Sequence, residues 1–305
     1  MGLTKSNQPA LEIEIAEFFV DRESRNLSPN TMNWYRSSLT HWSTFLTQNH
    51  ISTHRHITPG VIRRFLVHLQ KEGHNEGGVY NIFGAVRALL HWYVAESAPP
   101  GWENPLDKVE TPKRSEEIEQ PISLVNFQKL IDTCTDKGFE DLRDKAIFLT
   151  LLDSGVRRQE LTDLTIGDYN RATGAILVKR GKGRKTRSTF IGHRTRKAIN
   201  SYLIHRPNAK DDDPMWTTQK GDKMKAEGIR QMMRRRAAQA GVKEPGFHEF
   251  RRAFAVNFLR NGGDVITLQR LLGHTSLVII NRYLALVDDD LRASHAKHGV
   301  VDNMK

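Results

Sequence analysis

A single cysteine, Cys134, among 305 residues rules out any internal disulfide, and no Cys/His cluster has zinc-ligand spacing. No apolar run approaches the roughly 18–20 residues that a membrane-spanning helix needs. The opening stretch, Met1 to Pro9, is polar and lacks the apolar core of a secretion signal, so a cytoplasmic location is expected. There is no internal repeat and no low-complexity tract. Gly181-Lys182-Gly183 lacks the spacing of a nucleotide-binding P-loop. Neither a structural metal nor a cofactor is expected.

Positive charge, by contrast, is abundant. Lysine and arginine number 46 against 35 aspartates and glutamates, a formal net charge of +11. Such a balance in a chain with 38% hydrophobic residues points to a globular protein with a polyanionic partner. The placement of the charge sharpens the choice. Lys179, Arg180, Lys182, Arg184, Lys185 and Arg187 fall in one short segment with no acid among them, and Arg230, Arg234, Arg235 and Arg236 form a second cluster. A membrane surface would also attract these cations. Neither segment, however, is an amphipathic helix with a large apolar face, so nucleic acid is the better partner and no membrane is expected.

The chain is long enough for two cores. Residues 9–98 read as a helical bundle. Leu11, Ile15, Phe18 and Phe19 mark a first helix, and Ser28-Pro29 is a start signal before Met32, Tyr35, Leu39, Trp42 and Leu46 at helical spacing. Thr58-Pro59 repeats the signal before Ile62, Phe65, Leu66 and Leu69, and Gly77-Gly78 opens a fourth segment through Tyr93. Residues 99–121, punctuated by Pro99, Pro100, Pro105, Pro112 and Pro121, read as an extended linker. The remainder, 122–305, is again mostly helical. Its exception is a hairpin: Ala175–Val178 and Ser188–Ile191 are β-prone and flank a basic, glycine-rich tip. The fold class expected is mainly α with a small β-hairpin, an α+β chain.

Chemistry-bearing residues concentrate in this second part. Phe247, Phe250, Phe254 and Phe258 recur every three or four residues, as one buried helical stripe, and His248 and Arg251 lie one turn apart on a neighbouring face. The ordered set is Arg157 with Glu160, Lys182 at the hairpin tip, His248-x-x-Arg251, Leu272-Gly273-His274, and Tyr283 nine residues later. Each piece alone is weak; Arg157 and Glu160 could be a plain surface pair. Taken in order, the set resembles the tyrosine recombinase/integrase family, whose marks are Thr-Gly-Leu-Arg-x-x-Glu-Leu, a hairpin lysine in Gly-Lys-Gly, His-x-x-Arg, Leu-Gly-His and a nucleophilic tyrosine. Departures are small. Ser154 replaces the usual threonine, Phe250 a leucine, and Arg252 stands where a second histidine is common. Arg252 could alter how tightly a phosphate is held.

The resemblance implies a helical core-binding, SAM-like domain followed by a catalytic domain. It also implies a site-specific recombinase acting on double-stranded DNA as a homotetramer on two DNA sites, monomeric or weakly dimeric when free. Tyr283 would attack a DNA phosphodiester, leaving a 3′-phosphotyrosine and a free 5′-hydroxyl. Arg157 and Arg251 would clamp the non-bridging oxygens with fixed forks of donors. His248 and His274 would add hydrogen bonds, His248 being best placed to help take the tyrosine proton, and Lys182 would protonate the departing 5′ oxygen. Glu160 would hold the pocket. Arg180, Arg184, Lys185, Arg187, Arg234 and Arg235 are expected to contact DNA. Asp288 to Lys297 reads as a further short helix which, by the resemblance, docks on a neighbouring subunit.

Two other functions remain open at this point. One is a type IB topoisomerase-like relaxing enzyme; the other is a DNA-binding regulator with a lapsed site. The intact polar set speaks against the second. The integrase style of the motifs and the helical first domain speak against the first. With a first helix near Pro9, no arm-type DNA-binding domain is expected, and an Xer-like or transposon-type enzyme is the expectation.

Overall fold

The computed structural model describes residues 10–113, 120–179 and 186–273, with positions 295, 299 and 301. It separates into two compact units, Met1–Glu117 and Ile118–Lys305.

Four helices build the first unit: α1 (Ala10–Ser24), α2 (Pro29–Gln48), α3 (Pro59–Lys71) and α4 (Glu76–Glu96). The start signals act as their chemistry dictates. Ser28 and Thr58 accept from the amides of Thr31 and Val61, and a proline follows each at the first helical position, where its missing N–H costs nothing. Asn75, not singled out in the sequence, does the same for α4 through the Gly78 amide at 2.8 Å. Trp42, Phe65, Leu46, Leu89 and Leu90 lie fully buried between these helices. Beside them Trp42 Nε1 donates to His54 Nε2 at 3.3 Å, and His54 Nδ1 faces Glu14 Oε2 at 2.7 Å. Since Nε2 accepts, Nδ1 must carry the proton it gives to Glu14. Burial would raise the Glu14 pKa, but the bonds from His54 and Thr53 outweigh it and hold the carboxyl below its usual value.

The proline-punctuated segment is not extended throughout. Pro105–Lys108 forms a 3-10 turn, and Trp102, Leu106 and Val109 pack against the first unit's core. Trp102 Nε1 also donates to the Arg55 carbonyl at 3.1 Å. Three apolar side chains among the prolines suffice to dock this stretch.

In the second unit, α5 (Leu124–Asp132) is capped by Ser123 and α6 (Phe139–Ser154) runs through the core. Then come α7 (Arg158–Asp163), strands β1 (Ala175–Val178) and β2 (Arg187–Phe190), and helices α8 (His193–Ile204), α9 (Ala226–Ala240), α10 (Phe247–Arg260) and α11 (Val265–Leu272). The strands pair antiparallel, Ala175 opposite Phe190 and Val178 opposite Arg187. Helix α6 packs on α8, α10 and β2. Phe148 of α6 stacks on Phe250 of α10, with Phe127 edge-on, while Tyr202 stacks on Trp216.

The phenylalanine stripe of α10 is divided rather than uniform. Phe250 is fully buried in the main core, whereas Phe254 and Phe258 are half-buried and pack with Leu268 and Leu272 of α11. One helix thereby joins the core to the last described element. The hairpin tip, including Arg180, Lys182, Arg184 and Lys185, lies outside the described residues, as do His274, Tyr283 and, His295 apart, the Asp288–Lys297 segment.

Candidate active site

The turn carrying Arg157 begins where α6 stops. Gly155 closes that helix in the left-handed region (φ 60°), and an added Cβ would meet Phe254 at 2.5 Å and Leu272 at 2.9 Å. Only glycine suits both the backbone and the space. Ser154, in the place of the family's threonine, is buried; its hydroxyl donates to the Thr150 carbonyl, and its own carbonyl accepts from Thr189 of β2. Arg157 then caps α7. Glu160, in the first turn, reaches back to the Arg157 amide at 2.8 Å, half of a capping box. Its other oxygen accepts from Arg157 Nη1 at 2.9 Å. Arg157 and Glu160 are therefore a backbone-anchored pair rather than a loose surface one.

Arg187, which the sequence reading assigns to DNA contact, completes the cluster. Its side chain is only 8% exposed. Nη1 and Nη2 bind the two Glu160 oxygens at 2.7 and 2.8 Å, and Nε donates to the Leu271 carbonyl at 2.8 Å. The alternation of β2 turns Arg187 and Thr189 toward the interior and leaves Phe190 exposed. Burial alone would raise the Glu160 pKa. The Arg187 bonds, the Arg157 amide and both guanidinium charges overcome that and hold it at about 2.

Arg251 is 3% exposed and reaches across the unit. Its Nη1 donates to the Gly155 carbonyl and its Nη2 to the Leu272 carbonyl at 2.7 Å. Arg187 and Arg251 thus occupy two consecutive carbonyls at the C-terminal end of α11, where a helix has unpaired acceptors and negative potential. His248, one turn before Arg251, is exposed, so the two differ in burial although they share a region of α10. Arg157, Glu160, Arg187 and Arg251 are brought together; Lys182, His274 and Tyr283 lie outside the described residues.

The second basic cluster is differently disposed. On α9, Arg230 and Arg234 share Glu244, at 3.3 and 3.0 Å. Arg235 pairs with Glu140 and with Asp144, which is fully buried and also holds Arg143 and Arg236. Arg234 and Arg235, at 60% and 46% exposure, remain at the surface, but each already has an acidic partner. Glu140 and Asp144 lie 95 and 91 positions from Arg235, and Glu244 lies beyond the end of α9, so no helical spacing exposes the pairing. Among the described residues no group of three His, Cys, Asp or Glu could hold a metal ion, and no helix is long and apolar enough to cross a membrane.

Comparison with known proteins identifies the family. Residues 122–289 match the phage integrase family, and residues 17–97 match the phage integrase N-terminal SAM-like domain. The chain is 29% identical over 294 residues to the tyrosine recombinase XerC of Pelobacter propionicus, covering 95% of this chain and 96% of that protein. Among solved structures, the XerA recombinase is 27% identical with a TM-score of 0.53, covering 94% of this chain and 98% of that one. A lambda integrase tetramer bound to a Holliday junction is 16% identical with a TM-score of 0.73, covering 91% and 78%. With both of its units matched, the chain belongs to the phage integrase family, the tyrosine recombinases.

Proposed function

We propose that this protein is a site-specific DNA recombinase that cleaves and rejoins strands through a 3′-phosphotyrosine on Tyr283, two DNA sites being held by a tetramer. The observation that carries the reading is that Arg251 reaches the turn that leads into Arg157. Arg251 donates to the carbonyl of Gly155, two residues before Arg157, although 94 positions separate the two arginines in sequence. Two guanidinium groups around one turn suit a phosphodiester, whose transition state gathers negative charge on its non-bridging oxygens.

In this reading the Tyr283 oxygen attacks phosphorus as the bond to the 5′ oxygen breaks. His248 and His274 hydrogen-bond the phosphate, with His248 helping to remove the tyrosine proton, and Lys182 supplies a proton to the 5′ oxygen. The phosphodiester energy is kept in the tyrosine ester, so a second 5′-hydroxyl reverses the step without ATP. The two arginines provide the positive charge for which other phosphoryl-transfer sites use metal, and cleavage is expected to proceed in EDTA. Arg180, Arg184 and Lys185 carry the phosphate contacts we assign to the hairpin. A four-subunit assembly agrees with the lambda integrase tetramer on its junction.

The test is a supercoiled plasmid carrying two candidate sites, incubated with the protein in EDTA. Recombinant circles are expected. Relaxation without recombinants would identify a topoisomerase-like enzyme, and binding without strand breakage would identify a regulator.

A further inference from the structure

The Arg187 cluster does more than neutralise a buried acid. Starting at Arg157, a continuous chain of hydrogen bonds runs to Glu160, on to Arg187, into the Leu271 carbonyl, and by way of the next peptide to the Leu272 carbonyl and Arg251. Both proposed phosphate-binding arginines are the ends of that chain, and Arg187 is the member that joins its halves. A guanidinium has the geometry to join them, since its forked edge matches a carboxylate bidentately while Nε points elsewhere. A lysine ammonium is a single point charge and cannot meet both demands at these angles.

We infer that Arg187 is a positioning residue for the strand-cleavage step. It sets the separation of Arg157 and Arg251 by clamping Glu160 and the C-terminal end of α11 onto strand β2. The inference rests on the recombinase reading above. Two sequence relations strengthen its reach. Arg187 lies five residues after Lys182, on the strand leading out of the hairpin, and the carbonyls it and Arg251 hold directly precede Gly273-His274. Misplacing groups that must converge on one phosphate by about 1 Å costs on the order of 10² in rate. A phosphate contact behaves differently: its loss weakens binding and lowers the salt slope by about 0.9.

The experiment compares Arg187→Lys and Arg187→Ala with the wild-type full chain on nicked suicide duplexes carrying the protein's site. The measurements are the single-turnover cleavage rate at saturating DNA, the DNA Kd with its salt slope, and the melting temperature. For Arg187→Lys the cleavage rate is expected to fall about 10²-fold, with Kd within about twofold and the salt slope unaltered. Added guanidinium ion, below unfolding concentrations, is expected to restore cleavage to Arg187→Ala at least in part, because it can refill the fork between Glu160 and Leu271. If Arg187→Ala melts below the assay temperature, Arg187→Lys carries the test alone. Wild-type cleavage by Arg187→Lys would overturn the positioning role. So would a rate loss that disappears at saturating DNA, with a shallower salt slope, which would make Arg187 a phosphate contact. If the wild-type chain forms no covalent adduct, the recombinase reading itself fails; if it does and Arg187→Lys matches it, only this inference fails.

Discussion

Two carboxylates in the catalytic unit are buried against arginines, and their positions give them different duties. Glu160 opens α7 and holds Arg157 and Arg187 next to the turn where Arg251 arrives. Asp144 lies in the first half of α6 and holds Arg143, Arg235 and Arg236. Ten residues of one helix separate Asp144 from Ser154, about 15 Å along the axis. The chemistry of the two clusters is alike, but what the arginines reach is not. Around Glu160 they extend to backbone carbonyls that locate candidate catalytic groups. Around Asp144 they extend to Thr217 and Thr133, which only tie α6 to α9 and its surroundings. On the proposed function, the Glu160 cluster serves catalysis and the Asp144 cluster serves stability, according to the backbone each one holds.

Breaking the Asp144 cluster should have the largest effect on folding. Asp144→Asn leaves three arginines around a neutral group and is expected to remove about 3–5 kcal/mol, since an uncompensated buried charge remains. For a unit of this size that is a melting-temperature drop of about 10 °C. The cleavage rate of the protein that stays folded should change little. Calorimetry and single-turnover cleavage on the same sample would separate the two effects.

Glu160→Gln is expected to show the opposite ratio. The amide keeps an acceptor for Arg187 and the stability loss should be about 1–3 kcal/mol. Cleavage at saturating DNA should nevertheless fall by one to two orders of magnitude, about what misplacement of the arginine pair would cost. Equal losses of stability and rate in both variants would erase the distinction between the clusters.

Acid provides a finer test. The folded pKa of Glu160, about 2, lies below that of an unfolded glutamate, so the carboxylate stabilises the fold above about pH 4.5 and loses that contribution as pH falls through 2. The linked stability is on the order of 3 kcal/mol. Unfolding free energies measured between pH 5 and pH 2 should fall less steeply for Glu160→Gln than for the wild-type chain. Parallel slopes would show that the carboxylate is not held as described.

Much of the fold and part of the site are legible in the sequence. The cap signals at Ser28 and Thr58 are local chemistry, and the helices start where they predict. Glu160 three residues after Arg157 is likewise readable as a pair. Arg187 is not, because Phe190 and Ile191 are both apolar and give the strand no clear alternation. Only pairing with β1 and packing on α6 show that Ile191 is the inward one, and with it Thr189 and Arg187. The pairing of the α9 arginines is hidden from the sequence for a related reason. Their partners Glu140, Asp144 and Glu244 lie on other segments, so a count of charge along the chain does not show the ion pairs that these surface arginines make.

The smallest expected effect follows from that pairing. Arg234→Gln frees Glu244 for Arg230, and DNA affinity should change by less than about threefold, with a salt slope reduced by well under the roughly 0.9 of a full phosphate contact. A full unit of slope would make Arg234 a phosphate contact.

The distinction between the two clusters matters for function only if the arginine-lined turn serves a tyrosine nucleophile. The direct measurement is peptide mapping of the covalent protein–DNA adduct formed by the wild-type chain on a nicked suicide duplex in EDTA, with Tyr283→Phe alongside. The expected result is a single 3′-phosphate linkage at Tyr283, and for Tyr283→Phe retained DNA binding with no adduct. An adduct on another residue, or one that persists in Tyr283→Phe, would contradict it.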